Sequence, residues 1–363
     1  MSLDIWELAK QQKRENLRRK AERDQNITSD DSNISHGDEF GKHNESYIIV
    51  CGSKNCGKTS LIHRFLDQND KPKPTVALEY TYGRRTRGAT KDIAHIWELA
   101  GGTALIDLLD IPLSPSHIHI CSVILMVDLT QMSHIWATTY TILNAIRSRA
   151  EVSLKNRAQM LQISDDSSQS SNAPYLKDPK DSEYVQPFPI PIAIVCSKYD
   201  EFQNFEPETR KNICKVLRFI AHSNGAILQM TSNYMENLAS RSRALFGHFA
   251  FGISLSKTVQ SNPSKPLYFP VGYDSFQEIG EPPSRNSSFG GVSRGNLMAE
   301  TWRLALDELQ PQTAEQSETK DDPASDVQFR EIEIDTYVER RTCELETYIK
   351  HKRDRAALTS PSL

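Results

Sequence analysis

Apolar positions are not spread evenly along this chain. They gather in short blocks separated by polar stretches, and the first clear block is Tyr47-Ile-Ile-Val-Cys51, which runs into a glycine loop as a buried strand does. Further extended segments are predicted at 75–84, 92–99, 121–127, 190–196 and 226–230. Between them the spacing turns helical, at 58–66, 132–161, 207–222 and 233–249. In 207–222 the apolar Ile213, Val216, Leu217 and Ile220 share one face, Pro207 suits the first turn and Gly225 lies just past the end. Strands alternating with helices predict an α/β fold, with a mostly parallel sheet covered on both faces.

The same pattern divides the chain. Residues 1–24 read as a charged N-terminal helix and 25–45 as a flexible linker rich in Asn, Ser, Asp and Gly. The α/β domain is expected at 46–253, interrupted by a Ser/Asp/Lys-rich mobile insertion at about 164–184. Residues 254–310 form an extension to that domain, with a short extended piece at 267–271, irregular chain at 280–295 and a helix at 298–309. A polar linker and a long charged helix at 326–355 complete the chain within 311–363. In that last helix Ile334, Val338, Leu345 and Ile349 recur at helical spacing, a stripe that either docks on a partner or packs on the chain's own domain. The sequence shows no internal repeat.

Composition narrows the class. With 363 residues, 38% hydrophobic and 25% charged, the chain has the profile of a globular protein with polar appendages. A net charge of -4 argues against a nucleic-acid binder. The basic residues of the N-terminal helix are interspersed with Asp and Glu, as on a solvated face. No apolar run approaches membrane-spanning length and the N-terminus carries no signal core, so the expectation is an intracellular protein without membrane insertion. The six cysteines show no paired spacing and read as buried thiols. His63 and His95, in a predicted helix and strand, read as structural.

The sharpest chemical signal is Gly52-Ser53-Lys54-Asn55-Cys56-Gly57-Lys58-Thr59, followed by Ser60. It matches GxxxxGK[ST] between a strand and a helix, the context in which backbone N–H groups cradle phosphates. Lys58 would supply charge to the terminal phosphates and Thr59 a hydroxyl to Mg²⁺. Ser197-Lys198-Tyr199-Asp200 directly follows the strand ending at Cys196 and resembles the [NT]KxD motif of Ras-like GTPases. There an Asp carboxylate accepts from guanine N–H donors that adenine lacks, and the stem of Lys198 would lie along the base. Ser197 replaces the usual Asn or Thr. Thr231-Ser232-Asn233 resembles the SAK loop that also touches guanine, which adds Ser232 to the expected binding residues. The expected ligand is therefore GTP or GDP with Mg²⁺.

Two further segments bear on turnover. Pro74-Thr75 resembles the switch loop whose Thr senses Mg²⁺, so Thr59 and Thr75 are the expected metal residues; a Thr that merely starts a strand is the competing reading. Trp97-Glu98-Leu-Ala-Gly101-Gly102 resembles WDTAGQ, with Glu98 in place of the Asp and Gly102 in place of the water-orienting Gln. A glycine orients no water, so hydrolysis is expected to be slow or absent and no catalytic residue is assigned.

Longer strings carry a more specific resemblance. Residues 71–85 and 91–99, Ser197-Lys-Tyr-Asp200, Leu217-Arg-Phe-Ile-Ala-His222 and residues 272–283, together with Ile5-Trp-Glu-Leu-Ala-Lys10, are similar to the dynein light intermediate chain family, its dynein-2 branch in particular. The similarity spans about 46–309. It implies a Ras-like P-loop domain with helical extensions at both ends. It also implies an accessory role: binding and stabilising the cytoplasmic dynein 2 heavy chain among other dynein-2 subunits, for retrograde intraflagellar transport and cilium assembly. Microtubules and intraflagellar transport particles would be indirect partners. The implied locations are the cytoplasm, the cytoskeleton and the cilium, with its axoneme and basal body. The alternatives are an active GTP-hydrolysing switch, or a cargo adaptor acting through the C-terminal helix.

Overall fold

The computed structural model describes residues 45–68, 70–87, 90–161, 176–282, 295–309 and 331–359. The chain divides into two compact units, Met1–Ser317 and Glu318–Leu363. Expectations for the N-terminal helix, the linker after it, and residues 162–175, 283–294 and 310–330 fall outside the described residues.

Seven strands form one sheet: β1 (Glu45–Gly52), β2 (Leu78–Arg87), β3 (Thr90–Leu99), β4 (Cys121–Asp128), β5 (Ile192–Ser197), β6 (Ile227–Met230) and β7 (Tyr268–Phe269). The strand order is β2-β3-β1-β4-β5-β6-β7. β3, β1, β4, β5 and β6 are parallel, while β2 and β7 run antiparallel to their neighbours at the two edges. Because β1 lies between β3 and β4, the chain leaves it toward one edge and later returns to build the other half. That reversal places a crevice at the carboxyl end of β1, where ligands bind in open α/β sheets.

Burial explains the order. All eight residues of β4 and all six of β5 are buried, as strands covered on both faces must be. Alternating side chains divide between two cores. Ile49, Cys51, Val123, Leu125, Ile194 and Cys196 meet α2 (Ile135–Leu161) and α3 (Pro207–Ser223) on one face. Ile48, Val50, Ile124, Met126 and Val195 meet α1 (Lys58–Phe65) and α4 (Glu236–Phe251) on the other. The four apolar positions expected on one face of α3 are all buried, with Pro207 in its first turn.

Several boundaries differ from the sequence reading. The segment expected to be extended from 75 begins pairing only at Leu78, because residues 71–76 form a loop around the prolines. The stretch 233–235 is loop, and α4 starts at Glu236. The mobile insertion is expected to run to 184, yet Pro179–Glu183 forms a 3-10 turn with Asp181 buried. Asp181 accepts from Phe276 N (3.1 Å) and pairs with His222 Nε2 (2.8 Å), contacts between segments far apart in sequence.

The segment after α4 packs on the same domain. β7 extends the sheet beside β6, and Arg218 of α3 makes a bidentate pair with Asp274 (2.8 and 2.6 Å). Trp302 of α5 (Gly295–Leu309) stacks on Phe219 with centroids 4.7 Å apart. In the second unit, α6 (Ile332–Thr359) leaves Ile334, Val338, Leu345 and Ile349 exposed.

Five cysteines are buried and Cys343 is exposed. Burial pushes the thiols of Cys51, Cys121 and Cys214 up to about 12, so they are unreactive at neutral pH. Among the described residues, no helix is long and apolar enough to cross a membrane. His63 contacts the Asp70 carbonyl, and His95 bonds Tyr80 and stacks on Tyr47, both structural roles.

Candidate nucleotide site

β1 ends in the loop Gly52–Gly57, and α1 starts at Lys58. Gly52 has φ 141°, and a Cβ there would lie 2.0 Å from the Met126 carbonyl oxygen of β4. Only glycine lets the loop leave the sheet so close to β4. Gly57 is left-handed (φ 89°) at the N-cap of α1, and Asn55 is left-handed too (φ 58°). Lys54 and Asn55 are exposed, Ser53 and Ser60 half-buried, and Cys56 buried. Lys58 is buried, its ammonium donating to the carbonyls of Ser53 (2.8 Å) and Gly52 (3.2 Å). The cation thus sits inside the loop that would surround phosphates.

Thr59 Oγ1 donates to Glu98 Oε1 (2.8 Å) and lies 3.4 Å from Thr75 Oγ1. Thr75 belongs to the loop before β2 and does not start a strand. Glu98 is buried, and that burial raises its carboxyl pKa against the lowering influence of Thr59 and Lys58. Gly101 (φ 70°) and Gly102 (φ 58°) follow, and a Cβ on Gly102 would stand 3.8 Å from Lys54 N. Gly102 therefore lies beside the Gly52–Gly57 loop, with no side chain directed at it.

The base-motif residues converge at the ends of β5 and β6. Ser232 Oγ donates to Asp200 Oδ1 (2.5 Å), and Tyr199 N donates to Thr231 O (3.1 Å). Ser197 Oγ donates to Val127 O (3.2 Å), so this shorter side chain ties the loop to β4. Lys198 is left-handed (φ 59°) and its ammonium pairs with Asp128 Oδ2 (2.6 Å). Of the expected residues, Lys58, Thr59 and Thr75 thus gather at the end of β1, and Ser197, Lys198, Asp200 and Ser232 at the ends of β5 and β6.

The sequence reading does not pick out two further residues. Glu79 accepts from Thr75 Oγ1 (3.3 Å) and lies opposite Glu98 in the β2–β3 ladder. Its place depends on hairpin register, which the sequence does not state. Asp128 does have a signal: it is an acid closing the apolar run Cys121–Asp128.

The strand order, the glycine loop after β1 and the loops gathered at the carboxyl edge define a Ras-like P-loop domain. The chain is 41% identical over 320 residues to cytoplasmic dynein 2 light intermediate chain 1 of Mus musculus, covering 86% of this chain and 91% of the mouse protein. It is 41% identical over 310 residues to the Homo sapiens protein (84% and 87%), and 40% over 315 to that of Danio rerio (85% and 86%). The chain belongs to the cytoplasmic dynein 2 light intermediate chain family, and the resemblance carried by its sequence strings is borne out. No family model matches. The conserved domain of a dynein light intermediate chain aligns at 17% identity with a TM-score of 0.47, covering 74% of this chain and 93% of that one. A likeness that loose adds nothing to the family assignment.

Proposed function

We propose that this chain is a non-catalytic accessory subunit of the cytoplasmic dynein 2 motor, binding and stabilising the heavy chain for retrograde intraflagellar transport and cilium assembly. The carrying observation is 41% identity over 320 residues to a protein of that name. Its working place is then the cytoplasm and cilium, on the cytoskeleton. Mixed with the dynein-2 heavy-chain tail, the purified chain is expected to co-elute on size exclusion; separate elution contradicts the reading.

The loop residues fit a guanine nucleotide with Mg²⁺. Gly52–Ser60 would hold phosphates, Thr59 and Thr75 the metal, and Ser197, Lys198, Asp200 and Ser232 the base. The fit is supported by the buried Lys58 cation within the loop and by the Thr59, Thr75 and Glu98 oxygens gathered beside it. Mg²⁺ would offset charge on the phosphates. Gly102 favours a site that binds without turnover. In single-turnover assays, hydrolysis no faster than a Thr59→Ala control is expected. A clearly faster rate would support the rival, a working GTPase switch, which the complete loop and the Asp200–Ser232 pair favour. The apolar stripe of α6, Ile334, Val338, Leu345 and Ile349 at helical spacing, makes a cargo adaptor a further alternative.

Glu98 yields a pH prediction. Its pKa is raised by burial, so its contribution to stability is present at low pH and lost as pH rises through the folded-state pKa. Glu98→Gln removes the buried charge and keeps an acceptor for Thr59. The nucleotide-free variant should melt higher than wild type at neutral pH, with the difference shrinking in acid. A variant that melts lower at neutral pH contradicts this.

A further inference from the structure

We propose that Asp128 is a positioning residue of the base pocket, holding Lys198 in place before any nucleotide arrives. The inference rests on reading the site as a guanine-nucleotide site. Asp128 closes β4, opposite Ser197 in the β4–β5 ladder, and its side chain is fully buried. Its two carboxylate oxygens face different neighbours. Oδ1 accepts from Thr130 N (2.9 Å) and Thr130 Oγ1 (2.6 Å). Oδ2 has no aligned hydrogen-bond donor and meets the Lys198 ammonium as an ion pair at 2.6 Å.

A buried carboxylate is costly to leave unpaired, so Lys198 cannot swing away without exposing that cost. The long lysine side chain is thereby ordered in advance, and a ligand need not supply the ordering entropy. The loop backbone is fixed by the same strand: Ser197 Oγ donates to Val127 O, and Leu129 N donates to Ser197 O (3.3 Å). Asp200, two residues on, is oriented separately by Ser232. Each of the two charged base-motif residues thus has its own anchor.

The test is a double-mutant cycle on the full chain, read as affinity for fluorescent mant-GDP. Asp128→Asn keeps an acceptor for Thr130 but loses the charge, and should weaken binding about tenfold, as should Lys198→Met. If Asp128 acts through Lys198, the double variant binds no more weakly than Lys198→Met alone. A merely structural role would lower the melting temperature but leave the affinity of folded protein unchanged. Should Asp128→Asn not fold, Asp128→Glu, which moves the charge by one methylene, takes its place in the cycle. Wild-type affinity in the Asp128 variant, or additive losses in the double variant, overturns this assignment alone. Absence of mant-GDP binding by wild type removes the nucleotide reading and this assignment with it.

Discussion

Gly52→Ala is expected to destabilise the protein by about 3 kcal/mol or more and to abolish the proposed nucleotide binding. The added Cβ would stand 2.0 Å from the Met126 carbonyl oxygen and 2.8 Å from its carbon. These are backbone atoms of a central strand, paired with Gly52 in the β1–β4 ladder, and they cannot swing aside as a side chain does. The φ of 141° adds strain for any residue with a Cβ. Relief requires β1 and β4 to separate or the phosphate loop to be rebuilt. Urea unfolding measures the first effect and mant-GDP titration the second; a loss below about 1 kcal/mol would contradict the geometry.

Asp274→Ala should cost about 3–5 kcal/mol, because it leaves the buried Arg218 guanidinium without its carboxylate. The pair is bidentate, at 2.8 and 2.6 Å, and both side chains are about nine-tenths buried. Arg218 also lies over the Phe269 ring at 4.7 Å, so the lost pair loosens the segment around β7. At about 2–4 °C per kcal/mol for a domain of this size, the melting temperature should fall by roughly 6–20 °C. Replacing both partners together, Arg218→Met with Asp274→Leu, should recover most of that loss. A single variant that melts within about 2 °C of wild type would contradict the account.

Much of the fold is legible in the sequence because its strands are covered on both faces. Runs such as Cys121–Asp128 and Ile192–Ser197 stay apolar without alternation, and the helix at 207–223 announces itself through Pro207 and its buried face. Edge features are harder. β2 begins at Leu78 rather than at Thr75, since a strand start depends on its partner's register. The turn at Pro179–Glu183 is hidden because its order comes from Asp181 meeting His222 and Phe276, contacts that polar composition does not reveal.

The site divides in the same way. The glycine loop after β1 and the loop carrying Asp200 are legible as candidates because backbone geometry ties glycines and charges to fixed spacings. Glu79 escapes a reading of the sequence because its place depends on hairpin register, and Asp128, though visible as an acid closing an apolar run, gains its part only from the strand beside it. Ser197 departs from the usual Asn or Thr, and which backbone its hydroxyl meets, Val127 O of β4, follows from strand pairing rather than from the motif.

The most direct test is to express tagged wild-type and Lys58→Ala chains in ciliated cells and measure how much dynein-2 heavy chain co-purifies. Equal recovery is the predicted result, for a subunit whose phosphate loop is dispensable for assembly. Loss of heavy chain from a folded Lys58→Ala variant would contradict a static site, and absence of heavy chain from the wild type would contradict the proposed function itself.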